Sequence, residues 1–176
     1  MQRTRMTDYD EAHAAFDWSL PDSFNFGGDV IDVFAEDPNR LALIWCDGAG
    51  AERRFTFADI RRMSNQFANL LRANGVAKGD RVVVMLPRIP EWQIVMIGCL
   101  KLGAVPIPCI TMLTAKDIAY RVGHSGAVAV VATGADAVKF DDAAKAASAK
   151  KKKQKKAGLL QKVRGINLFP EYVEHG

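Results

Sequence analysis

The amino-acid sequence predicts an α/β fold: part of a doubly wound parallel sheet with helices on both faces, preceded by an N-terminal β-hairpin. Two observations predict this class. After residue 75, short apolar runs typical of buried strands alternate with amphipathic helical segments, and the connections between them are only a few residues long. The run Val82 to Leu86 is apolar at every position, as expected for a strand covered on both faces.

The elements before residue 75 are predicted from apolar spacing and turn residues. Phe26 to Ala35 has the spacing of a short helix. Leu41 to Cys46 and Arg53 to Thr56 are predicted strands, and Asp47 to Gly50 forms the turn that joins them into a hairpin. A helix then begins at Thr56, with Asp59 three residues later as in a capping box. It ends at Asn74-Gly75.

The second half of the predicted fold alternates strands and helices. After the strand Val82 to Leu86, Pro90 opens a helix that runs to Gly103. Ala104 to Pro108 is predicted as a strand at a sheet edge, because its two prolines cannot donate to a central ladder. A helix from Thr114, capped by Asp117, is expected to stop near Gly123, and Ala127 to Val131 is the last predicted strand.

The distribution of charge predicts a boundary near residue 142, where a lysine-rich tail 143–176 begins. Residues 1–142 hold 15 Lys and Arg against 18 Asp and Glu, whereas 143–176 hold 9 against 2. A lysine block is usually a solvated segment. Its functional alternative is nonspecific binding to an anionic membrane or to nucleic acid, although no aromatic residue stands among the lysines to stack on bases.

Several protein classes are not expected. The longest apolar runs fall far short of the roughly 20 residues of a membrane span, so no transmembrane segment is predicted. No secretion signal is visible, and the expected location is cytoplasmic, with the mitochondrial matrix possible in a eukaryote. Cys46, Cys99 and Cys109 lie in apolar sequence and are expected to be buried thiols. The three histidines, His13, His124 and His175, stand without partners at metal-ligand spacing.

Phosphate-binding motifs are missing from the sequence. It contains neither Gly-x-x-x-x-Gly-Lys-Ser/Thr nor Gly-x-Gly-x-x-Gly after a strand, and Asp47 to Gly50 is interpreted as a hairpin turn. Arg88 stands beside Glu91 at a helix entrance, where it can meet an anion or brace the turn; the second interpretation is preferred.

A hydrolase site is also not expected. Gly123 to Ala127 comes close to a nucleophile elbow but precedes a strand instead of following one. Ser125 is therefore interpreted as a turn residue, and His124 has no nearby acid because Asp117 is used as a helix cap. The sequence assigns no catalytic, cofactor-binding or metal-binding residue.

The segment 75–131 closely resembles the N-terminal subdomain of AMP-forming acyl-CoA synthetases. The residues that carry the resemblance are Val76 to Trp92, Gly98 to Pro108 and Thr114 to Arg121, supported upstream by Phe24 to Phe26 and Phe55 to Phe57. The resemblance covers roughly residues 16–142, which implies a family domain over 16–142 preceded by an N-terminal extension 1–15. The sequence Leu-Pro-Arg-Ile-Pro-Glu-Trp is most like the medium-chain branch.

The resemblance implies an ATP-dependent carboxylic acid–CoA ligase. Such an enzyme joins the acid to ATP with Mg2+, forming an acyl-adenylate and pyrophosphate, and coenzyme A then displaces AMP. The family's phosphate loop and catalytic lysine have no match in this sequence, so the chain is expected to be an N-terminal portion, inactive alone, that binds none of these cofactors tightly. Where some medium-chain relatives contact coenzyme A through a glutamine, this sequence has Met112, and the contact is not carried over.

Three interpretations stay open. The first is the synthetase portion, in which residues 143–176 are not family sequence and a truncation, frameshift or gene-model error replaced the phosphate-loop half. The second is a non-catalytic α/β interaction module that self-associates or docks on a partner carrying that half. The third is an anion or nucleic-acid binder that acts through the basic tail, without sequence-specific contacts.

Overall fold

A computed structural model describes residues 8–18 and 21–151. Its helices are α1 Tyr9–Ala14, a π-helical segment Phe26–Asp32, α2 Phe57–Ala73, α3 Pro90–Leu102, α4 Ala115–Ser125 and α5 Gly134–Lys151. Its strands are β1 Leu41–Cys46, β2 Glu52–Thr56, β3 Arg81–Met85, β4 Val105–Pro108 and β5 Ala129–Ala132.

The parallel sheet is built around β3. Its strand order is β4-β3-β5, and β3 pairs in parallel with both neighbours. Val82, Val83, Val84 and Met85 are each 0–2% exposed. Because successive side chains of a strand point to opposite faces, a run that is apolar at every position needs a cover on each side.

The helices supply a cover on each face. Val82 and Val84 pack in one cluster with residues of α2 and α3, whereas Val83 and Met85 pack in another with residues of α4 and α5. The predicted fold class, a parallel sheet with helices on both faces and an N-terminal hairpin, is confirmed. The β1–β2 hairpin is antiparallel and forms a separate two-stranded sheet.

Helix α3 approaches α2 closely at Gly98. A Cβ at this position would lie 2.7 Å from Phe67 Cδ1 and 2.9 Å from the Ser64 carbonyl oxygen. Because Gly98 has no side chain, the backbone of α3 can lie directly against Phe67 and Ser64 of α2. The two helices together cover one face of the sheet.

The segment before the hairpin is tied to the end of α3 by polar contacts. The Asn25 side chain accepts hydrogen bonds from the amides of Gly27 and Gly28 and donates to the Leu100 carbonyl at 2.9 Å. The largely buried Lys101 ammonium forms an ion pair with Asp32. The segment Phe26 to Ala35, which is predicted as a helix, is helical, and its first part, Phe26–Asp32, is a π-helix.

Three predicted boundaries need correction. Helix α4 does not stop near Gly123 but continues to Ser125, because the left-handed residue that ends it is Gly126, at φ 62°. The last strand is Ala129–Ala132 instead of Ala127 to Val131, and β3 begins at Arg81 and ends before Leu86. Helix α5, which the sequence analysis did not predict, runs across residue 142, where the composition changes; the lysine-rich tail beyond residue 151 lies outside the described residues.

The close contact at Gly98 predicts that Gly98→Ala destabilises the fold. Overpacking costs about 1–3 kcal/mol and outweighs the roughly 1 kcal/mol that alanine gains over glycine in a helix. Gly123→Ala is the matched control, because this α4 glycine has no heavy atom within 4 Å of its added Cβ and should be stabilising. Urea unfolding of both variants measures the difference, and a Gly98→Ala protein as stable as Gly123→Ala would contradict this packing.

The cap of α2 predicts a pH-dependent contribution from Asp59. A hydrogen bond from the Thr56 amide to its carboxylate is the main cause that lowers the pKa of Asp59 below the usual 3.8. The folded state therefore favours the carboxylate, so its stabilising effect is complete above that pH and is lost as pH falls through the lowered pKa. Asp59→Asn should destabilise by up to about 1 kcal/mol at pH 7.

Thermal unfolding between pH 7 and pH 2 measures this contribution. The difference in unfolding temperature between the wild-type chain and Asp59→Asn should become smaller below about pH 4. Asp22→Asn, on an exposed loop, is the control for a general charge effect. If the difference in unfolding temperature does not change with pH, Asp59 contributes no charge-dependent stabilisation.

Candidate functional site

The candidate site is an open cleft of about 480 Å3 between the hairpin and the loops that follow β3 and β4. It is lined by Leu43, Trp45, Leu86, Pro87, Arg88, Ile89, Pro90, Trp92, Gln93, Ile110 and Thr111. Most of these side chains are apolar, and Arg88, Gln93 and Thr111 add a few polar groups, which is the usual composition of a small-molecule site.

The topology of the sheet places the cleft. From β3 the chain passes through α3 to β4 on one side, and then through α4 to β5 on the other side of β3. Ligands of open α/β sheets bind beyond the carboxyl ends of the strands, where the strand order changes direction. The loops Leu86–Ile89 and Cys109–Leu113 leave the sheet at this end, so the cleft stands at the expected place.

The hairpin forms one wall of the cleft because Trp45 is hydrogen-bonded to the opposite loop. Its indole Nε1 donates to the Arg88 carbonyl oxygen at 2.8 Å. Arg53, on β2, forms an ion pair with Glu91 at the start of α3, with 3.7 Å between Nη1 and Oε1. The Arg53 guanidinium also lies 4.7 Å from the centre of the Phe55 ring. These contacts fix the hairpin against the β3–α3 connection.

Arg88 acts differently from the preferred prediction. The turn is braced by the backbone carbonyl of Arg88, not by its guanidinium. Within residues 8–18 and 21–151, that guanidinium donates no hydrogen bond and forms no ion pair, and Arg88 lies exposed at the cleft. The geometry is therefore compatible with the other interpretation, in which Arg88 meets an anion.

The N-termini of α2, α4 and α5 do not fit the phosphates of a nucleotide. Helices α2 and α4 each begin with a reciprocal capping box, formed by Thr56 with Asp59 and by Thr114 with Asp117. Hydrogen bonds from the threonines lower the pKa values of both aspartates, so a negative charge already stands at each terminus. Helix α5 begins similarly, because the Asp136 amide donates to Thr133 Oγ1 and that hydroxyl donates to Asp136 Oδ2.

The glycine-containing hairpin turn does not fit a phosphate either. Asp47 Oδ1 accepts hydrogen bonds from the amides of Ala49 and Ala51 at 2.9 and 2.8 Å, so the turn satisfies its own donors. Across the described residues there is also no group of three or more His, Cys, Asp and Glu placed to hold a metal ion. The capped N-termini of α2, α4 and α5 and this hairpin turn therefore do not fit the phosphates of a nucleotide.

The residues of the near-elbow segment are engaged in local structure. Ser125 Oγ donates to the Val122 carbonyl and accepts from the Ala127 amide, and the Ser125 carbonyl accepts from Arg81 Nε at 2.9 Å. The His124 ring stacks on Tyr120 at 5.5 Å. Asp117 lies about 10 Å away along α4, at the other end of the helix.

The cysteines do not all lie where the sequence predicts. Cys99 and Cys109 are buried, whereas Cys46 is exposed. The reason is that the hairpin is covered on one face, which carries Leu43 and Trp45, so the alternate positions Ile44 and Cys46 point to solvent. Burial raises the pKa of the Cys99 thiol to about 12, and burial also raises that of Cys109.

Of the residues at the cleft, Arg88 was predictable from the sequence as a possible anion contact, whereas the cleft itself and the role of Trp45 were not. A tryptophan at a covered position of a hairpin strand carries an N–H that needs an acceptor when it packs. This requirement could have indicated that Trp45 makes a hydrogen bond. It could not have identified the acceptor, which lies 43 residues later in the chain.

These features define an α/β subdomain with an open cleft at the carboxyl ends of its parallel strands. The chain belongs to the family of AMP-binding enzymes, whose sequence pattern it matches over residues 32–169. The matched range passes residue 142, so the predicted division into 1–15, 16–142 and 143–176 stays a prediction.

Named relatives agree with the family. The chain is 37% identical over 129 residues to a human protein, the mitochondrial acyl-coenzyme A synthetase ACSM5, covering 69% of this chain and 22% of the relative. A crystal structure of an acyl-CoA synthetase from Brucella canis superposes with a TM-score of 0.70 at 33% identity, covering 76% of this chain and 26% of that one. A benzoate CoA ligase from Burkholderia xenovorans LB400 gives 0.62 at 27% identity, covering 70% and 24%. The chain thus spans about a fifth of the length of this curated relative.

No helix within the described residues is long and apolar enough to cross a bilayer.

The burial pattern predicts that one of the three thiols reacts rapidly in the folded chain. Cys46 is exposed, whereas Cys99 and Cys109 are buried and harder to ionise, and the thiolate is the reactive form. Titration with a chromogenic disulfide at pH 8 should show one fast thiol in buffer and three in denaturant. The fast phase should vanish in Cys46→Ser. Two fast thiols in the native chain would contradict the described packing.

Proposed function

We propose that this chain supplies the N-terminal subdomain of an ATP-dependent carboxylic acid–CoA ligase. The reaction converts an acid, ATP and coenzyme A into acyl-CoA, AMP and pyrophosphate through an acyl-adenylate. The observation that supports it most strongly is the family match over residues 32–169, together with the shared fold of the Brucella canis acyl-CoA synthetase. The names of the relatives favour acyl or aryl acids as the substrate class.

The chain's own contribution in this proposal is a scaffold and one wall of a ligand cleft. Trp45 and the loop after β3 present an apolar surface, and Arg88 presents a positive charge at its edge. In this proposal ATP and Mg2+ are held by residues other than those described, because carboxylates already cap the N-termini of α2 and α4. Weak or no binding of these cofactors to the chain alone follows from the proposal.

The compartment and the oligomeric state are further parts of the proposal. We place the chain in the cytoplasm, with the mitochondrial matrix as the alternative that the human relative's name suggests. Self-association or docking on a partner is favoured by the β5 edge of the sheet, because in the described residues β5 pairs on one side only. The other edge strand, β4, carries Pro106 and Pro108, which cannot donate and so protect that edge from pairing.

A chimera tests the proposed function. The segment of the Brucella canis synthetase that aligns with this chain is replaced by residues 21–142, and acid-dependent acyl-CoA formation is measured with acids from acetate to dodecanoate and with benzoate. Because the subdomain has the same fold, the chimera should form acyl-CoA within about tenfold of the parent rate, a difference of 1.4 kcal/mol.

Two controls make the result decisive. The Brucella canis protein without the segment should be inactive, and the chimera carrying Val84→Asp should unfold, since Val84 is fully buried. A chimera that unfolds cooperatively at the parent's temperature and yet forms no acyl-CoA with any acid would refute the proposed function.

A further inference from the structure

A lysine on α5 reaches the loop that forms part of the cleft. Lys139 Nζ donates a hydrogen bond to the Thr111 carbonyl oxygen at 2.6 Å, across 28 residues of sequence. The same ammonium group forms an ion pair with Asp136 Oδ1 at 2.8 Å. Hydrogen bonds that involve an ionised partner are shorter and stronger than those between neutral groups. This contact therefore connects α5 to the loop Cys109–Leu113.

Asp136 keeps the Lys139 ammonium in place. It is the first-turn acid of α5, and its Oδ2 accepts from the Thr133 hydroxyl while its Oδ1 faces Lys139. Its side chain is 15% exposed and that of Lys139 39%. The cap of α5 and the contact to Thr111 therefore share one carboxylate, which restricts the positions open to the long lysine side chain.

The loop has little other packing at its centre. At its start the Cys109 amide donates to the Val84 carbonyl at 2.8 Å, which extends the pairing of β4 with β3. At its end a longer contact of 3.4 Å joins the Leu113 amide to the Ile110 carbonyl. Between them Ile110 is 64% exposed and Met112 is 84% exposed. Ile110 and Thr111 nevertheless line the cleft. A fixed cleft wall therefore requires a contact that holds the middle of the loop in place, which is called the tether below.

We propose that Lys139 is a positioning residue that holds Ile110 and Thr111 in place as one wall of the cleft. It acts through the Thr111 carbonyl and does not itself line the cleft. The inference rests on the proposed function only for its effect on substrate; the tether itself is a property of this chain. Loss of the ammonium group frees the loop and weakens ligand binding without unfolding the sheet.

Hydrogen exchange of the full 176-residue chain tests the tether. Lys139→Met keeps most of the aliphatic side chain but removes the donor. It should speed exchange of the hydrogen-bonded amides at the two ends of the loop, those of Cys109 and Leu113, by about tenfold. Lys139→Arg retains the charge and the donors and should restore much of the protection. Lys116→Met, an exposed lysine at the start of α4, is the matched control and should change nothing in this loop.

Two results would overturn the tether. One is unchanged exchange of the loop in Lys139→Met. The other is a uniform increase over β3, α3 and the loop with a lower unfolding temperature, because that pattern belongs to a residue that stabilises the whole fold.

The same substitutions in the chimera with the Brucella canis synthetase test the effect on substrate. Lys139→Met should raise the KM for the carboxylic acid by about tenfold, with kcat and the KM for ATP unchanged, and Lys139→Arg should restore it. An unchanged KM in an active chimera would overturn the positioning role. A parent chimera without activity would instead count against the proposed function, while the exchange experiment still decides whether the tether exists.

Discussion

The burial of β3 on both faces is the constraint on which the rest of the structure depends. Val82 and Val84 need α2 and α3 on one side, and Val83 and Met85 need α4 and α5 on the other. A strand of this kind is expensive to expose, at roughly 1.5–3 kcal/mol for each large apolar side chain. The positions of the helices, and of Gly98 where two of them meet, follow from this requirement.

The same constraint creates the candidate site. Because β3 stands between β4 and β5, the connections on its two sides lead away in opposite directions and leave a cleft at the carboxyl ends. The hairpin closes one side through the contact of Trp45 with the Arg88 carbonyl. On the other side, α5 reaches the cleft through Lys139 and Thr111. The hairpin and α5, which pack around the parallel sheet, thus also determine the shape of the cleft.

Local signals allowed most of the fold to be predicted. The capping boxes at Thr56 and Thr114 depend on neighbouring residues and are confirmed. The buried strand predicted at Val82 to Leu86 is also present, with its bounds moved to Arg81–Met85. The predicted end of α4 was wrong because either Gly123 or Gly126 could have ended the helix. The left-handed backbone angle at Gly126 shows which of them does. The cleft could not be predicted, since its walls come from residues as distant as Leu43 and Thr111.

In the function proposed above, this chain supplies a scaffold and part of a cleft, while the groups that hold ATP lie elsewhere in a synthetase. The most direct measurement is pyrophosphate release from ATP by the purified chain, with acids from acetate to dodecanoate and benzoate, with and without coenzyme A. We expect no release above the blank. Acid-dependent release would contradict this proposal, because the residues assigned here to helix caps and turns would then have to form an adenylation site.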